Sequence, residues 1–282
     1  MNSITLNNGN QIPQMMFGSF QMNEQADMDA VVKTAVDNGV LGFDTSPSYR
    51  TEEMLSAAVR GLIAKREGLS RSDFFLDTKI DEWQMIAKKG EIRPFVEKCL
   101  EKTNLDYWDL ILIHWPQPDY YTKTWLAMEK LYEEGIVKNI GVCNFSVRHF
   151  KGLERAGANV VPAVMQNEVH PLNTENEVLE YCEENHITVQ AYSPLCRMIP
   201  EIRENELLNH LAEKYGVSLA QIILRWHIER GLVPVVKTSS EKRVKENTDI
   251  FSFALSEEDR DAITGLDSHF KIFLESRCCP GY

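Results

Sequence analysis

The stretch Gly42-Phe43-Asp44-Thr45-Ser46-Pro47-Ser48-Tyr49 decides how the rest of the chain is interpreted. A short apolar run ends at Asp44, a Ser-Pro-Ser turn follows, and apolar residues at helical spacing begin near Met54. This order predicts a strand, a loop and a helix, with Asp44 at the strand end and Tyr49 in the loop. α/β barrels carry their chemistry at that end of their strands. Because Asp and Tyr are common in turns, the pair acquires meaning only from the other strand ends.

Outward from this stretch, short apolar runs alternate with segments of helical spacing along the whole chain. Strands buried on both faces have such continuous apolar runs, and right-handed crossovers between them close into a barrel. We find no linker-like segment, so residues 1–282 are predicted to form a single (β/α)8 TIM barrel domain. An Asn8-Gly9 hairpin is expected before the barrel and a helix over 256–266, followed by a tail, after it. The predicted barrel strands are 15–20, 41–45, 74–79, 110–114, 140–143, 164–167, 188–192 and 233–237.

Composition excludes several classes of partner. The formal net charge of −12 over 282 residues argues against nucleic acid and anionic membranes, which need clustered positive charge. The amino terminus lacks the pattern of a signal peptide, and no apolar run approaches membrane-spanning length. The six cysteines show no metal-ligand spacing, which predicts free thiols in a reducing cytoplasm and no bound metal.

The residues at or just beyond the predicted strand ends are all polar. A polar residue at any one end is expected, since strand ends meet water. Contact with water does not explain why three titratable residues end successive strands, namely Asp44, Lys79 and His114, with Tyr49 in a neighbouring loop. Buried titratable groups at the ends of apolar runs need partners, and in a barrel they share one mouth. The full set is Ser19, Asp44, Lys79, His114, Asn144, Gln166, Tyr192 and Lys237.

Asp, Tyr, Lys and His together suit the protonation of an oxygen that becomes negative during a reaction. A phenol has a pKa of about 10, and a neighbouring ammonium favours the phenolate and lowers that pKa. Reduction of a carbonyl by hydride develops such a charge on oxygen. No side chain donates hydride, so this interpretation requires a nicotinamide cofactor.

A nicotinamide cofactor needs a phosphate site, and no GxGxxG motif opens a helix after a strand in this chain. The segment after the last strand offers an alternative. Lys237-Thr238-Ser239 places a cation and two hydroxyls in the loop, and Arg243 lies in the next helix. Barrels often build phosphate sites from the loops after strands seven and eight. A solvated basic helix would explain the segment equally well if it stood alone.

The ordered motifs resemble a bacterial NADPH-dependent member of the aldo-keto reductase family over nearly the whole chain. The first block is the Gly42–Tyr49 stretch, followed by Glu52 and Arg60. The other matching blocks are His114-Trp115-Pro116, Gly141-Val142-Cys143-Asn144-Phe145, Gln166-Asn167-Glu168 with His170-Pro171, Tyr192-Ser193-Pro194-Leu195, and Lys237-Thr238-Ser239 with Arg243, Glu246 and Asn247.

This resemblance implies roles for individual residues. Tyr49 would be the general acid, with Lys79 and Asp44 setting its pKa and His114 orienting the carbonyl of a small-molecule substrate. The implied cofactor is NADPH (NADP+), and the protein would be a monomer or weak homodimer. Residues expected to bind the nicotinamide half of the cofactor are Ser19, Cys143, Asn144, Gln166, Tyr192, Ser193 and Leu195. Residues expected at the 2′-phosphate and adenine are Lys237, Thr238, Ser239, Arg243, Glu246 and Asn247.

The chain departs from the family pattern at four positions. Cys143 replaces a usual serine, Thr51 a usual asparagine and Val236 a usual proline. Asp81 stands two residues after the lysine, where the family often has an aromatic that walls the substrate pocket. These changes bear on substrate and cofactor preference and leave the four catalytic residues intact. The predicted pocket walls are Phe20, Trp115, Tyr120 and Tyr121, with the tail after Leu274 as a lid.

Two other interpretations stay open at this point. One is a protein that binds NADP(H) without turnover, which the intact set of four residues argues against. The other is a metal-dependent hydrolase using His114 and Asp44, for which no HxH pair or carboxylate cluster completes a ligand set. The vicinal Cys278-Cys279 pair is interpreted as two exposed thiols without function.

Overall fold

The computed structural model describes residues 3–274, and eight parallel strands close into a barrel. In the ring, the strand Val233–Lys237 lies between the strands Met16–Gly18 and Thr188–Tyr192, and the other strands follow in chain order. This closed ring confirms the predicted (β/α)8 fold. Tail positions 275–282, with the predicted lid and the Cys278-Cys279 pair, lie outside the described residues. The strands are β1 (Ser3–Thr5), β2 (Gln11–Pro13), β3 (Met16–Gly18), β4 (Gly42–Asp44), β5 (Phe75–Ile80), β6 (Leu110–Ile113), β7 (Ile140–Cys143), β8 (Val164–Glu168), β9 (Thr188–Tyr192) and β10 (Val233–Lys237).

Helices follow the strands and cover the outside of the barrel. They are α1 (Gln25–Asp37), α2 (Glu52–Ile63), α3 (Glu82–Ala87), α4 (Arg93–Thr103), α5 (Tyr121–Glu133), α6 (Val147–Arg155), α7 (Asn176–Glu184), α8 (Pro200–Arg203), α9 (Glu206–Tyr215), α10 (Leu219–Glu229), α11 (Glu241–Thr248) and α12 (Glu257–Thr264). Within residues 3–274, no helix is long and apolar enough to cross a membrane.

The hairpin before the barrel forms as its turn predicts. β1 and β2 pair antiparallel, and Gly9 between them has φ +88. That backbone conformation is accessible to glycine at no steric cost, which explains why Asn8-Gly9 is a reliable turn signal.

Strand register brings the functional side chains to one mouth. Gly18 of β3 pairs with Asp44 of β4, and Asp44 pairs with Asp77 of β5. Lys79 lies two residues further along β5 and pairs with Leu112 of β6. Because side chains two residues apart share a strand face, Asp77 and Lys79 both point into the barrel. Lys237 of β10 pairs with Gly18 and closes the ring at the same end.

Two apolar layers hold this arrangement. The larger lies between the outer faces of the strands and the helices, and includes Trp108, Trp125 and Trp226, all fully buried. The smaller fills the barrel interior below the mouth, around Leu112 and Val164. Strands with apolar residues on both faces are therefore explained, since each face meets one of these layers.

The structure differs from the sequence prediction mainly at short elements. The helix Glu82–Ala87 and the helix Pro200–Arg203 were not predicted. Both are too short to show a helical repeat of apolar residues, which is the signal used for the longer helices. The first barrel strand covers only Met16–Gly18, because Ser19 and Phe20 already belong to the loop that lines the mouth.

Candidate active site

A cavity of about 860 Å³ opens at the carboxyl ends of the barrel strands. It runs from Tyr49 and His114 at one end to Lys237 and Arg243 at the other. Predicted site residues on its wall are Phe20, Asp44, Tyr49, His114, Trp115, Asn144, Gln166, Tyr192, Ser193, Leu195, Lys237, Thr238, Arg243, Glu246 and Asn247.

The base of the cavity holds a buried ion pair between Lys79 and Asp44. The Lys79 side chain is 0% exposed and that of Asp44 only 6%. The ammonium donates to the Asp44 carboxylate and, at 3.0 Å, to the carbonyl oxygen of Thr45. Burial is the largest effect and acts to lower the pKa of Lys79, but the Asp44 carboxylate, together with smaller effects of neighbouring acidic groups, outweighs it and holds that pKa well above its usual value. Lys79 is therefore a permanent buried cation.

Tyr49 is held over this ion pair by the turn that the sequence predicted. Pro47 occupies the first position of a one-turn 3-10 helix, Pro47–Tyr49, and Arg50 ends it with a left-handed φ of 59°. The Lys79 ammonium lies 5.0 Å from the centre of the Tyr49 ring. Phe20 packs edge-on against that ring, with 5.0 Å between centroids. The phenol is thus fixed between an aromatic wall and a buried cation.

The net direction of the Tyr49 pKa differs from the sequence expectation. Burial of the phenol raises its pKa, and the charge of Lys79 lowers it by a smaller amount. Asp44 pairs with Lys79 and adds a further raising effect. Lys79 does act to lower the pKa of Tyr49, as expected. The expectation is wrong for the net pKa, because desolvation of the phenolate has the larger effect. Tyr49 consequently carries its proton at neutral pH.

His114 follows β6 and faces Tyr49, with 5.8 Å between the ring centroids. Its Nδ1 lies 2.6 Å from Oδ1 of Asp81 and 3.4 Å from the hydroxyl of Ser46. Asp81 is fully buried. Asp81, one of the four residues that depart from the family pattern, therefore contacts the predicted carbonyl-orienting group directly.

A chain of amide groups connects Asp44 to a second buried carboxyl. Gln166 Nε2 donates to Asp44 at 2.9 Å and to Gln190 Oε1 at 2.9 Å, and Gln190 Nε2 donates to Asp77 at 2.9 Å. Burial and the nearby Asp44 carboxylate raise the pKa of Asp77 well above its usual range. Its surroundings thus favour the neutral acid beneath the ion pair, a feature that sequence reasoning missed because Asp77 lies mid-strand.

Two amides and a phenol line the middle of the cavity. Asn144 donates to the carbonyl oxygen of His114 at 2.8 Å and accepts from the Tyr192 hydroxyl at 2.8 Å. These bonds fix both side chains. The Oε1 atom of Gln166 receives no hydrogen bond from residues 3–274, so it can accept one from a ligand amide.

The far end of the cavity is cationic. Lys237 and Arg243 line it together with Thr238, and neither cation forms an ion pair with another residue in the described part of the chain. The N-terminus of α11 lies here, and the Ser240 side chain accepts from the backbone N–H of Arg243. Two such cations beside a helix N-terminus give this end of the cavity a positive potential that favours an anion.

Six predicted residues do not line the cavity, and the first of them, Lys79, lies buried beneath Tyr49. Ser19 is buried against Thr51, with 2.7 Å between their hydroxyls; this bond explains the threonine that replaces the usual asparagine. Cys143 is buried beside the barrel interior, and Ser239 is exposed. Tyr120 and Tyr121 belong to the start of α5, where the Tyr121 ring packs on Phe145 and His149, so they stand outside the proposed pocket wall.

Sequence reasoning missed several wall residues, above all Arg197 and Phe273. The Arg197 guanidinium stacks on the Phe273 ring at 4.8 Å, and Phe273 packs edge-on against Tyr192 at 5.8 Å. The Glu168 carboxylate holds this segment by accepting the backbone N–H groups of Ile272 and Phe273 at 2.6 and 2.9 Å. Glu168 was noted as part of a motif, but its partner 105 residues away left no local signal.

The described residues contain no group of three or more His, Cys, Asp or Glu side chains that could hold a metal ion. His114 faces a single carboxylate and a hydroxyl, and Asp44 is occupied by Lys79 and Gln166. The arrangement suits proton donation to a ligand that also contacts an anion site.

Comparison with known proteins gives consistent matches over nearly the whole chain. The Aldo/keto reductase family model matches residues 14–268. A glyoxal reductase from Bacillus subtilis (strain 168) is 38% identical over 270 residues, covering 96% of this chain and 94% of that protein. The methylglyoxal reductase DkgA of Escherichia coli (strain K12) is 34% identical, covering 94% and 93%. The crystal structure of a Bombyx mori aldo-keto reductase (AKR2E4) in complex with NADP superposes with a TM-score of 0.89 at 29% identity, covering 98% and 96%.

Proposed function

The chain belongs to the aldo/keto reductase family, and from that premise we propose that it reduces small aldehydes and ketones to alcohols, using NADPH as hydride donor and Tyr49 as general acid. The observation that carries this proposal is the buried Lys79 ammonium under the Tyr49 ring. A phenol beside a buried cation at the base of a cavity can donate its proton to a substrate oxygen that becomes negative during the reaction.

The chemistry of the four residues follows from their environment. NADPH, when bound, supplies the hydride that reaches the carbonyl carbon. Tyr49 holds its proton because burial raises the pKa of the phenol, and it donates that proton to the carbonyl oxygen as charge develops there. The phenolate that remains is stabilised by the Lys79 ammonium, the charge that acts to lower the pKa of Tyr49. Asp44 keeps Lys79 charged and in place.

The residues along the cavity fit a dinucleotide phosphate. Lys237, Thr238 and Arg243 would bind the 2′-phosphate, because the two cations have no carboxylate partner within residues 3–274. Glu246 and Asn247, one turn further along α11, would meet the adenine. Gln166 Oε1 and Asn144 would bind the carboxamide, and the Tyr192 ring would lie against the nicotinamide. Each of these assignments is a proposal about this chain's side chains.

Small dicarbonyl compounds are the proposed first choice of substrate. The relatives are named as reductases of glyoxal and methylglyoxal. Near Tyr49 and His114 the cavity has Phe20 and Trp115 as apolar walls and Ser48 as a polar lining residue. A compact substrate with two oxygen atoms suits such a mixture of apolar and polar surface.

The experiment is a rate measurement with the purified chain. NADPH oxidation is followed with glyoxal, methylglyoxal, longer aldehydes, ketones and sugars, and each reaction is repeated with NADH. The proposal predicts turnover of small aldehydes with NADPH and a lower kcat/KM with NADH. Tight NADPH binding without turnover of any compound would instead indicate a protein that senses the cofactor.

A further inference from the structure

Asp81 is one of the four positions at which the chain departs from the family pattern, and it lies beside His114. It follows β5 directly, is fully buried, and receives four contacts from the mouth of the barrel. Its Oδ1 atom lies 2.6 Å from His114 Nδ1, 3.0 Å from the Ser46 hydroxyl and 3.3 Å from the Ser48 hydroxyl. Its Oδ2 atom accepts from Trp83 Nε1 at 3.4 Å. A buried carboxyl with so many donors is built as an acceptor.

The charge state of Asp81 follows from these contacts. Burial acts to raise the pKa of Asp81, but the hydrogen bond and charge of His114, the Ser46 hydroxyl and the charge of Lys79 outweigh it, so the pKa is lowered. Asp81 is therefore a carboxylate, and both of its oxygens are acceptors. His114 Nδ1, 2.6 Å from one of them, must then carry a hydrogen.

This hydrogen has a consequence for the other ring nitrogen. A neutral imidazole has one N–H and one lone pair, so a neutral ring with its hydrogen on Nδ1 leaves Nε2 as an acceptor. A carbonyl oxygen is also an acceptor, and two acceptors form no hydrogen bond. His114 can donate to a substrate carbonyl from Nε2 only when the ring carries both hydrogens.

We propose that Asp81 is a positioning residue that makes His114 act as an imidazolium, with Nδ1–H held by Asp81 and Nε2–H donated to the substrate carbonyl oxygen. This rests on the proposed carbonyl reduction. The proton that reaches the oxygen still comes from Tyr49; the hydrogen on Nε2 stays on the ring and stabilises the developing charge. Asp81 contacts neither substrate nor cofactor and acts only through His114.

The other charges around His114 act in both directions. Glu82 follows Asp81 in the chain, and its carboxyl interacts with His114 through space, which favours the imidazolium. Lys79, whose charge reaches Asp81, disfavours it, and the Asp44 carboxylate in its ion pair opposes that effect. Tyr49 faces the ring as a neutral phenol. Asp81, 2.6 Å from Nδ1, is the carboxylate in direct contact with the ring.

Asp81→Asn is a suitable variant because it removes charge and keeps the fold. Asp81 is the N-cap of α3 and forms a capping box with Gln84, and Asn is an equally good N-cap. Without the carboxylate the imidazolium loses its partner. We expect kcat/KM for aldehyde reduction at neutral pH to be about 10- to 100-fold lower than in the wild type, with unchanged NADPH affinity. We also expect the variant to lose activity with rising pH from a lower pH than the wild type does. Glu82→Gln is the matched control, and it should change kcat/KM less than the Asp81 variant and leave the hydrogen on Nδ1.

Nitrogen-15 NMR of the histidine rings in the resting wild-type protein tests the proposal without catalysis, because it shows which ring nitrogens carry a hydrogen. The His114 signals are assigned by their loss in His114→Gln. The proposal predicts a hydrogen on Nδ1 at every pH where the protein is folded, and on both nitrogens where the enzyme is active. A neutral ring with its hydrogen on Nε2, or an Asp81→Asn variant with the wild-type rate and pH profile, would overturn it. If the wild-type chain reduces no carbonyl compound, the NMR result still decides the state of His114, so the two proposals fail separately.

Discussion

Replacing Lys79 with methionine tests the buried ion pair, because methionine keeps the volume of the side chain and removes its charge. Lys79 and Asp44 are both inaccessible to solvent to within a few per cent, and without Lys79 the Asp44 carboxylate keeps the Gln166 amide at 2.9 Å as a donor but loses its cation. Removing one partner of a buried pair costs about 3–5 kcal/mol. Since whole domains are stable by about 5–15 kcal/mol, Lys79→Met should fold but unfold at a clearly lower urea concentration.

The double variant Asp44→Asn with Lys79→Met separates stability from activity. It leaves no uncompensated charge, so it should recover most of the lost free energy of unfolding while reduction of aldehydes stays lost. Urea unfolding followed by tryptophan fluorescence gives the free energies, and NADPH oxidation gives the rates. Lys33→Met, which breaks an exposed pair with Asp37, is the control and should cost less than about 1 kcal/mol. Two results would refute the reasoning. One is a loss of unfolding free energy in Lys79→Met no larger than in the control. The other is a loss in the double variant as large as the sum of the losses in the two single variants.

Three further predictions concern the cofactor, pH and metals. Arg243→Ala should weaken NADPH binding roughly 10- to 100-fold and leave NADH binding unchanged. Lys242→Ala on the same helix is the control and should leave the binding of both cofactors unchanged. Equal weakening of both cofactors by Arg243→Ala would place the 2′-phosphate elsewhere. Burial raises the pKa of Asp77 above its unfolded value, so its contribution to stability is present below about pH 4 and is lost as pH rises. Asp77→Asn should accordingly gain stability relative to the wild type between acid and neutral pH in urea unfolding, and a difference that does not change with pH would contradict a neutral Asp77. Dialysis against a chelator should leave the rate of aldehyde reduction unchanged, and recovery of a lost rate by added metal would show a metal requirement.

Most of the barrel could be predicted because its strands are apolar on both faces and its helices show long apolar stripes. The ends of β7, β9 and β10 fall where the apolar runs end. The polar strand ends also predicted which side chains share a mouth, since parallel strands in register bring equivalent positions together. The cavity wall confirms that placement for Asp44, His114, Asn144 and Gln166. The organisation of residues 1–282 as one domain, the cytoplasmic location and the monomer or weak homodimer stay predictions.

The parts that could not be predicted depend on long-range contacts or on sums of opposing effects. Phe273 lies at the cavity where the Glu168 carboxylate accepts its backbone N–H, and nothing in the sequence near either residue signals this contact. Tyr121 is aromatic and follows a strand, yet the start of α5 turns it towards Phe145. The pKa of Tyr49 required the size of desolvation relative to the charge of Lys79, and a sequence shows only that both are present.

The most direct test of the account is the rate of Tyr49→Phe with NADPH and methylglyoxal, measured beside its NADPH affinity. Phenylalanine keeps the ring that contacts Phe20 and Lys79 and removes only the proton donor. The account predicts a kcat lower by about 10²–10⁴-fold with NADPH bound as tightly as in the wild type. A kcat close to the wild-type value would contradict it.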